Sequence, residues 1–329
     1  MWMIKKRKIC FDLGKTKVIM MDKKEAFMKK NYVVLIGATV CCTLWGSAFP
    51  CIKIGYKWMN IGVHDVAAQI LYAGYRFFMA GILTIVAGSL YNRRFLYPNG
   101  PSFRKIGILS MLQTVIQYTL FYIGLAHTTG VKASIIESLN TFIAIVIAGY
   151  LFHQEIVTKR KIFGCLLGFI GVILVNLGAN GVNFHFAMKG EGFLALSTVA
   201  YAFSSVIMKK YSEDENPVML SGYQFLLGGG VMIVGGILLG GHLEKFTLKA
   251  FLILLYLAFV SAAAYSLWGI LLKYNSVSRV TIYGFLNPVI GVLLSTLLLG
   301  ERDSLGINSM IALVLVSMGI YIVNKMSDS

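Results

Sequence analysis

Charge is what this sequence has least of. Asp, Glu, Lys and Arg fill only 13% of its 329 positions, roughly half the ~25% usual in a soluble domain. Hydrophobic residues fill 57%. Aqueous loops cannot absorb that much apolar surface, so the excess faces lipid. Acids are scarcer still, 14 against 30 Lys and Arg, for a net charge of +16. Such a basic chain invites a nucleic-acid reading, but the distribution argues against it. Residues 1–30 hold ten Lys/Arg and three acids, and the rest falls in short clusters between apolar blocks. That pattern orients a membrane protein and builds no continuous basic face.

Cysteine and histidine are also sparse. Cys10, Cys41, Cys42, Cys51 and Cys165 are odd in number and lack metal-ligand spacing, which leaves no disulfide or zinc framework to propose. They read as reduced packing residues. His64, His127, His153, His185 and His242 all fall at loops or helix ends. The sequence offers no His/acid metal spacing, no nucleophile elbow and no Gly-rich phosphate loop. Enzyme chemistry therefore has little support, and no cofactor or metal is implied. Without an ATPase domain, transport would draw on a gradient or run downhill. "VIMM" (Val18–Met21) is too short for the apolar core of a signal peptide. A bacterial-style start at Met28 makes residues 1–27 read as an extension.

Long apolar runs are abundant. Blocks near 31–51, 67–90, 104–126, 131–151, 161–178, 190–209, 219–240, 249–272, 279–299 and 305–324 are each long enough to cross ~30 Å of hydrocarbon as a helix. Ten spans predict an all-α membrane protein with short connections. With the N-terminus inside, 22 Lys/Arg lie in cytoplasmic segments and seven outside, and without residues 1–30 the balance is 12 to seven. The positive-inside rule places both termini in the cytoplasm of a multi-pass cell-membrane protein.

The chain also repeats itself. "GYRFFMAG" (Gly74–Gly81) returns as "GYQFLLGG" (Gly222–Gly229), 148 positions on. Tyr118 matches Tyr265, Leu139-Asn140 matches Leu286-Asn287, and "GVILVN" at Gly171 matches "GIYIVN" at Gly319. Trp45 aligns more weakly with Tyr201. The offsets stay between 147 and 156, in order, through five helices. Five is odd, so the second copy enters the membrane from the opposite side. Such inverted repeats place a substrate site near the midplane, where the halves meet. The chain divides into a basic tail (1–30), two five-helix repeats (31–178 and 179–325) and a short C-terminus (326–329).

These features resemble the drug/metabolite transporter superfamily, EamA-type branch. The likeness rests on "LWGSAFPCIKIG", "RFFMAG", "LNTFIAIVIAGYLFHQE", "LNPVIGVLLSTLLLGE", "GCLLGFIGVILVN" and "SMGIYIVN". Each motif is loose, but their order is specific and spans residues 31–325. The resemblance implies ten helices in two repeats around a central cavity, and export or uptake of small metabolites such as amino acids. The family often has Pro where this chain has Thr141, whereas Pro288 is present in the second copy. A helix distortion is therefore expected in the second half and in doubt in the first.

Two charges fall inside the spans. A charge at mid-bilayer costs ~2.5–3.5 kcal/mol on insertion scales. Arg76 and Glu137 both sit within helices entering from the outer side, at depths ~4–5 Å apart, and are expected to form a pair. Their counterparts, Gln224 and Gly284, are uncharged. A packing salt bridge and a substrate or proton site both fit these residues. Asn140 and Asn287 occupy symmetric places, where interhelical bonding and substrate contact fit equally. Pro288 withdraws a backbone hydrogen bond and frees the carbonyl of Gly284, as Pro50 does for Gly46. Trp45, Tyr118, Tyr122, Tyr201, Tyr265, Trp268 and Tyr283 are candidates to line a pocket, although most membrane aromatics pack or anchor.

The leading function is a secondary transporter for a small metabolite. The alternatives are a membrane enzyme of lipid or cell-wall metabolism and a flippase for a lipid-linked carrier. The implied partners are a small-molecule substrate, membrane lipid and protons, not nucleic acid. Both a monomer and a homodimer fit.

Overall fold

The computed structural model describes residues 23, 25–62, 64–127, 133, 136–176, 187–244, 246–299 and 307–325. The tail through residue 22, Lys132, His185, Lys245, Glu301 and Arg302 lie outside the described residues. Among those described, all regular structure is helical. In chain order the α-helices are α1 (Asn31–Met59), α2 (Val66–Tyr91), α3 (Gly100–Leu109), α4 (Gln117–Ala126), α5 (Asn140–Val146), α6 (Lys159–Asn176), α7 (Phe193–Ser212), α8 (Pro217–Leu238), α9 (Leu248–Tyr274), α10 (Val277–Thr281), α11 (Leu286–Leu299) and α12 (Ile307–Lys325). A π-helical stretch, Ser110–Ile116, joins α3 to α4, and another, Met188–Gly192, leads into α7. Among the described residues, six rods are long and apolar enough to cross a membrane: α1, α2, Gly100–Leu125, Met188–Ser212, α8 and α9.

The rods begin where polar caps satisfy their first N–H groups. Asp65 accepts from Ala68 N at 2.9 Å ahead of α2, Asn216 accepts from Val218 N at 2.9 Å ahead of α8, and Thr247 accepts from Ala250 N at 3.2 Å ahead of α9. In lipid these donors would otherwise have no partner. α1 ends on Asn60 in the left-handed conformation (φ 57°), which returns its N–H to Tyr56 O; Asn tolerates that region better than most residues.

One feature departs from the sequence expectation, and two concern the helix distortion expected in the second half and in doubt in the first. α1 does not stop near residue 51 but runs through Pro50 to Met59. One missing hydrogen bond is tolerable because α9 and α11 hold the helix on either side. The ninth span is broken: α10 gives way to a 3-10 turn, Ile282–Phe285, before α11. Pro288 then falls in the first turn of α11, where its missing N–H would be an orphan anyway. The fourth span is broken as well, at a turn on Leu139 immediately before Asn140, although no proline is there. Thr141 instead donates its hydroxyl to Thr281 O across the halves at 2.9 Å.

Glycines draw equivalent helices together. A methyl group at Gly81 would stand 2.8 Å from Gly222 O, and one at Gly229 would stand 2.9 Å from Gly74 O. The two copies of the octet therefore lie side by side and antiparallel, the first end of each against the last end of the other. α6 and α12 meet in the same way, Gly164 facing Gly319 O at 3.0 Å. α1 lies against α9 and α11, while α7, its counterpart by sequence, lies against α4, α9 and α5.

One end of the bundle is tied by a polar layer. The buried Glu155 accepts from Lys161 Nζ at 2.9 Å, Ser278 N at 3.0 Å and Ser278 Oγ at 2.5 Å. Lys209 donates to Leu272 O at 3.1 Å and Asn275 O at 2.6 Å, closing the C-terminal end of α9.

Candidate functional site

A cavity lies where the two halves meet. It offers about 90 Å3 of room for the centres of water molecules, on a measure where one water needs ~10–15 Å3. α1 contributes Trp45 to its wall and α2 contributes Arg76. α4 contributes Tyr118, the broken fourth span Glu137 and Asn140, and α7 Tyr201. α9 presents Tyr265 and Trp268, and α11 presents Asn287 and Pro288. Of the twelve cavity candidates read from the sequence, ten share one wall, and Tyr122 is not among them. Nor is Tyr283. It is buried elsewhere, its hydroxyl accepting from Asn324 Nδ2 at 3.0 Å and its carbonyl from the Cys42 thiol. The 3-10 turn rotates Tyr283 away from the face carrying Gly284 and Asn287.

The two repeats touch through Tyr118 and Tyr265, whose hydroxyls are 2.5 Å apart. Around them Trp45 sets its edge against Tyr201, Tyr265 and Trp268, with ring centroids 6.3, 5.2 and 5.0 Å away. These T-shaped contacts make the wall stiff.

Arg76 and Glu137 both face the cavity but make no ion pair with each other. The pairing expected from their depth fails because their helices have different neighbours. α2 packs on α8 and α9, whereas the fourth span packs on α7. Arg76 is 2% exposed. Its Nε donates to Leu257 O at 3.3 Å and Ser261 Oγ at 3.0 Å, and Nη1 reaches Tyr122 OH at 3.5 Å. The guanidinium also lies 5.1 Å from the Phe77 ring centroid, a cation–π distance. Glu137 makes no hydrogen bond or ion pair among the described residues.

Other polar atoms of this wall are buried without a partner: Trp45 Nε1, Trp268 Nε1, Gln117 Oε1, Asn140 Oδ1 and Asn287 Oδ1. Buried polar groups are normally satisfied, and these five unpartnered atoms, counted among the described residues, are collected on one surface. Sequence reading missed Gln117, Ser138, Thr141, Ser197 and Thr198, which also line the cavity. Their spacing carried a signal. Ser197, Thr198 and Tyr201 share a helix face, as do Glu137, Asn140 and Thr141.

The profile of the EamA-like transporter family matches residues 32–177 and again 188–325. The chain belongs to this family. The duplication seen at the tyrosine contact is thus two copies of one family domain. An uncharacterized transporter of Archaeoglobus fulgidus is 24% identical over 310 residues, covering 89% of this chain and 98% of that protein. The uncharacterized inner membrane transporter YedA of Escherichia coli K12 is 28% identical, over 85% of this chain and 89% of its own. A WAT1-related chloroplastic protein of Arabidopsis thaliana is 24% identical over 85% of this chain and 66% of its own length. A solved crystal structure superposes with a TM-score of 0.73 at 15% identity, over 91% of this chain and 99% of that one; the likeness there is one of fold. This EamA-family protein is a multi-pass membrane transporter.

Proposed function

We propose that this protein is a secondary transporter. It moves a small metabolite, an amino-acid-like or similar organic solute, across the cell membrane by alternating access, with export coupled to protons at Glu137. Ten spans form two inverted five-helix repeats, 31–178 and 179–325, around a central cavity, with both termini in the cytoplasm. The antiparallel glycine seam between α2 and α8 supports the inversion, as does the exchange of neighbours between α1 and α7. One repeat rocking against the other would expose the shared wall to each side in turn.

The observation that carries this reading is the wall itself. Both repeats contribute to it, and it holds a buried arginine, a partly buried glutamate and orphaned indole and amide groups. Site residues in this reading are Trp45, Arg76, Tyr118, Glu137, Asn140, Tyr201, Tyr265, Trp268, Asn287 and Pro288. Metabolite profiling of cells with and without the protein, followed by flux of the leading solute in liposomes, tests it. A solute whose level follows the protein and which crosses protein-bearing liposomes faster than empty ones is the expected result. Profiles that never differ, with no flux for any solute tried, would contradict it.

A further inference from the structure

The two ionisable residues of the cavity, a buried Arg76 and a partly buried Glu137, sit on helices with different neighbours and make no ion pair with each other. Arg76 is bound to α9, through Leu257 O and Ser261 Oγ, and to Tyr122 of α4. Glu137 lies at the α7 wall, where its neighbour Ile136 accepts from Thr198. Tyr265 and Tyr201, with ring centroids 6.3 Å apart, line the same cavity.

Neither charge is fully satisfied. A guanidinium has five N–H donors; Arg76 engages Nε and one Nη1 hydrogen, so three remain without an acceptor among the described residues. The carboxylate of Glu137 has no partner there, and Asn140 Oδ1, one turn further along, and Asn287 Oδ1 are bare acceptors. An uncompensated buried charge is destabilising. A guanidinium fork is matched by a planar carboxylate. One carboxylate and two amide oxygens match the three donors of an ammonium.

We infer that the cavity takes a dipolar solute charged at its two ends, with a carboxylate on Arg76 and a primary ammonium among Glu137, Asn140 and Asn287. Such a solute compensates both charges at once. An ω-amino acid fits, because its charges are separated along an alkyl chain that can lie against Tyr265 and Tyr201. An α-amino acid carries both charges on one carbon and spans a shorter gap. This inference rests on the transporter reading, since it assigns the solute class of that same site.

Purified full-length protein in nanodiscs is titrated calorimetrically with the series from glycine to 8-aminooctanoate, and with norleucine, hexanoate and hexylamine. Norleucine and 6-aminohexanoate are isomers and differ only in where the amine sits. The wild-type protein should bind a long ω-amino acid at least tenfold more tightly than norleucine, hexanoate or hexylamine. Arg76→Gln introduces the residue already present at the counterpart position 224 and should lower 6-aminohexanoate to the level of hexylamine. Glu137→Gln should lower it to that of hexanoate. Equal or tighter binding of norleucine overturns the inference, as does failure of the whole ω-series to bind; neither result depends on how the variants fold. If the same protein in liposomes moves another solute while the ω-series fails, only this inference falls. If the series binds but nothing is moved, the transporter reading falls instead.

Discussion

The glycine seam between α2 and α8 makes a prediction with an internal control one residue away. At Gly229 an added methyl group would stand 2.9 Å from Gly74 O and closer still to Phe78 N, both of them backbone. Backbone cannot rotate aside as a side chain can, so the helices must separate locally by about 1 Å in a packed interior. Overpacking of this kind costs about 1–3 kcal/mol. Lipid supplies no hydrophobic compensation, since association of these helices rests on close contact. At Gly230 nothing lies within 4 Å of the same methyl group, and Ala there gains the helix preference of about 0.5–1 kcal/mol over Gly. Gly229→Ala should therefore lower the thermal midpoint of the purified protein by roughly 2–6 °C, while Gly230→Ala should leave it level or raise it by a degree or two. Gly81→Ala, whose methyl would stand 2.8 Å from Gly222 O and 2.6 Å from Leu226 N, should behave like Gly229→Ala. The measurement is a melting curve by intrinsic fluorescence in one detergent for all three variants. Equal midpoints for Gly229→Ala and Gly230→Ala would refute the close backbone approach and the antiparallel seam built on it.

The Tyr118–Tyr265 contact should show coupling. Each single change to Phe is expected to lower stability by about 1 kcal/mol or more through the hydroxyl left behind, while the double change should lose less than their sum; strict additivity in a double-mutant cycle would deny the bond. Glu155→Ala removes the acceptor of Lys161 Nζ and Ser278 and should lower stability by about 3 kcal/mol, since it leaves a largely buried ammonium unpaired; an unchanged midpoint would mean the polar layer does not tie the halves. A reporter fused after Ser329 should be cytoplasmic and a cysteine replacing Lys245 labelled from outside; labelling only after permeabilisation would overturn the ten-span topology. Deleting residues 2–27 should leave flux intact, and an inserted but inactive protein would show that the tail takes part.

The membrane class, the duplication and most of the cavity wall were legible before any helix was placed. Apolar length and charge scarcity are local properties, and the repeat is a matter of order along the chain. Tyr118, Tyr265, Asn140 and Asn287 stood out because duplicated positions that meet at an interface between copies face each other. The partner of Arg76 was not legible. Depth along two helices suggested Glu137, but a buried charge bonds to whatever its helix packs against. Tertiary packing put α9 and Tyr122 beside Arg76 and put Glu137 on a span that packs against α7. The turn before Asn140 was likewise undecided by sequence, because no proline marks it, and the bond from Thr141 to the carbonyl of Thr281 in the other half appears only in the fold. Sequence by itself determined that this chain crosses a membrane as two copies of one unit, since hydropathy and repetition are carried residue by residue. Which atoms of the shared wall are left without partners was decided only by the tertiary structure, because satisfaction depends on neighbours drawn from helices far apart in the chain.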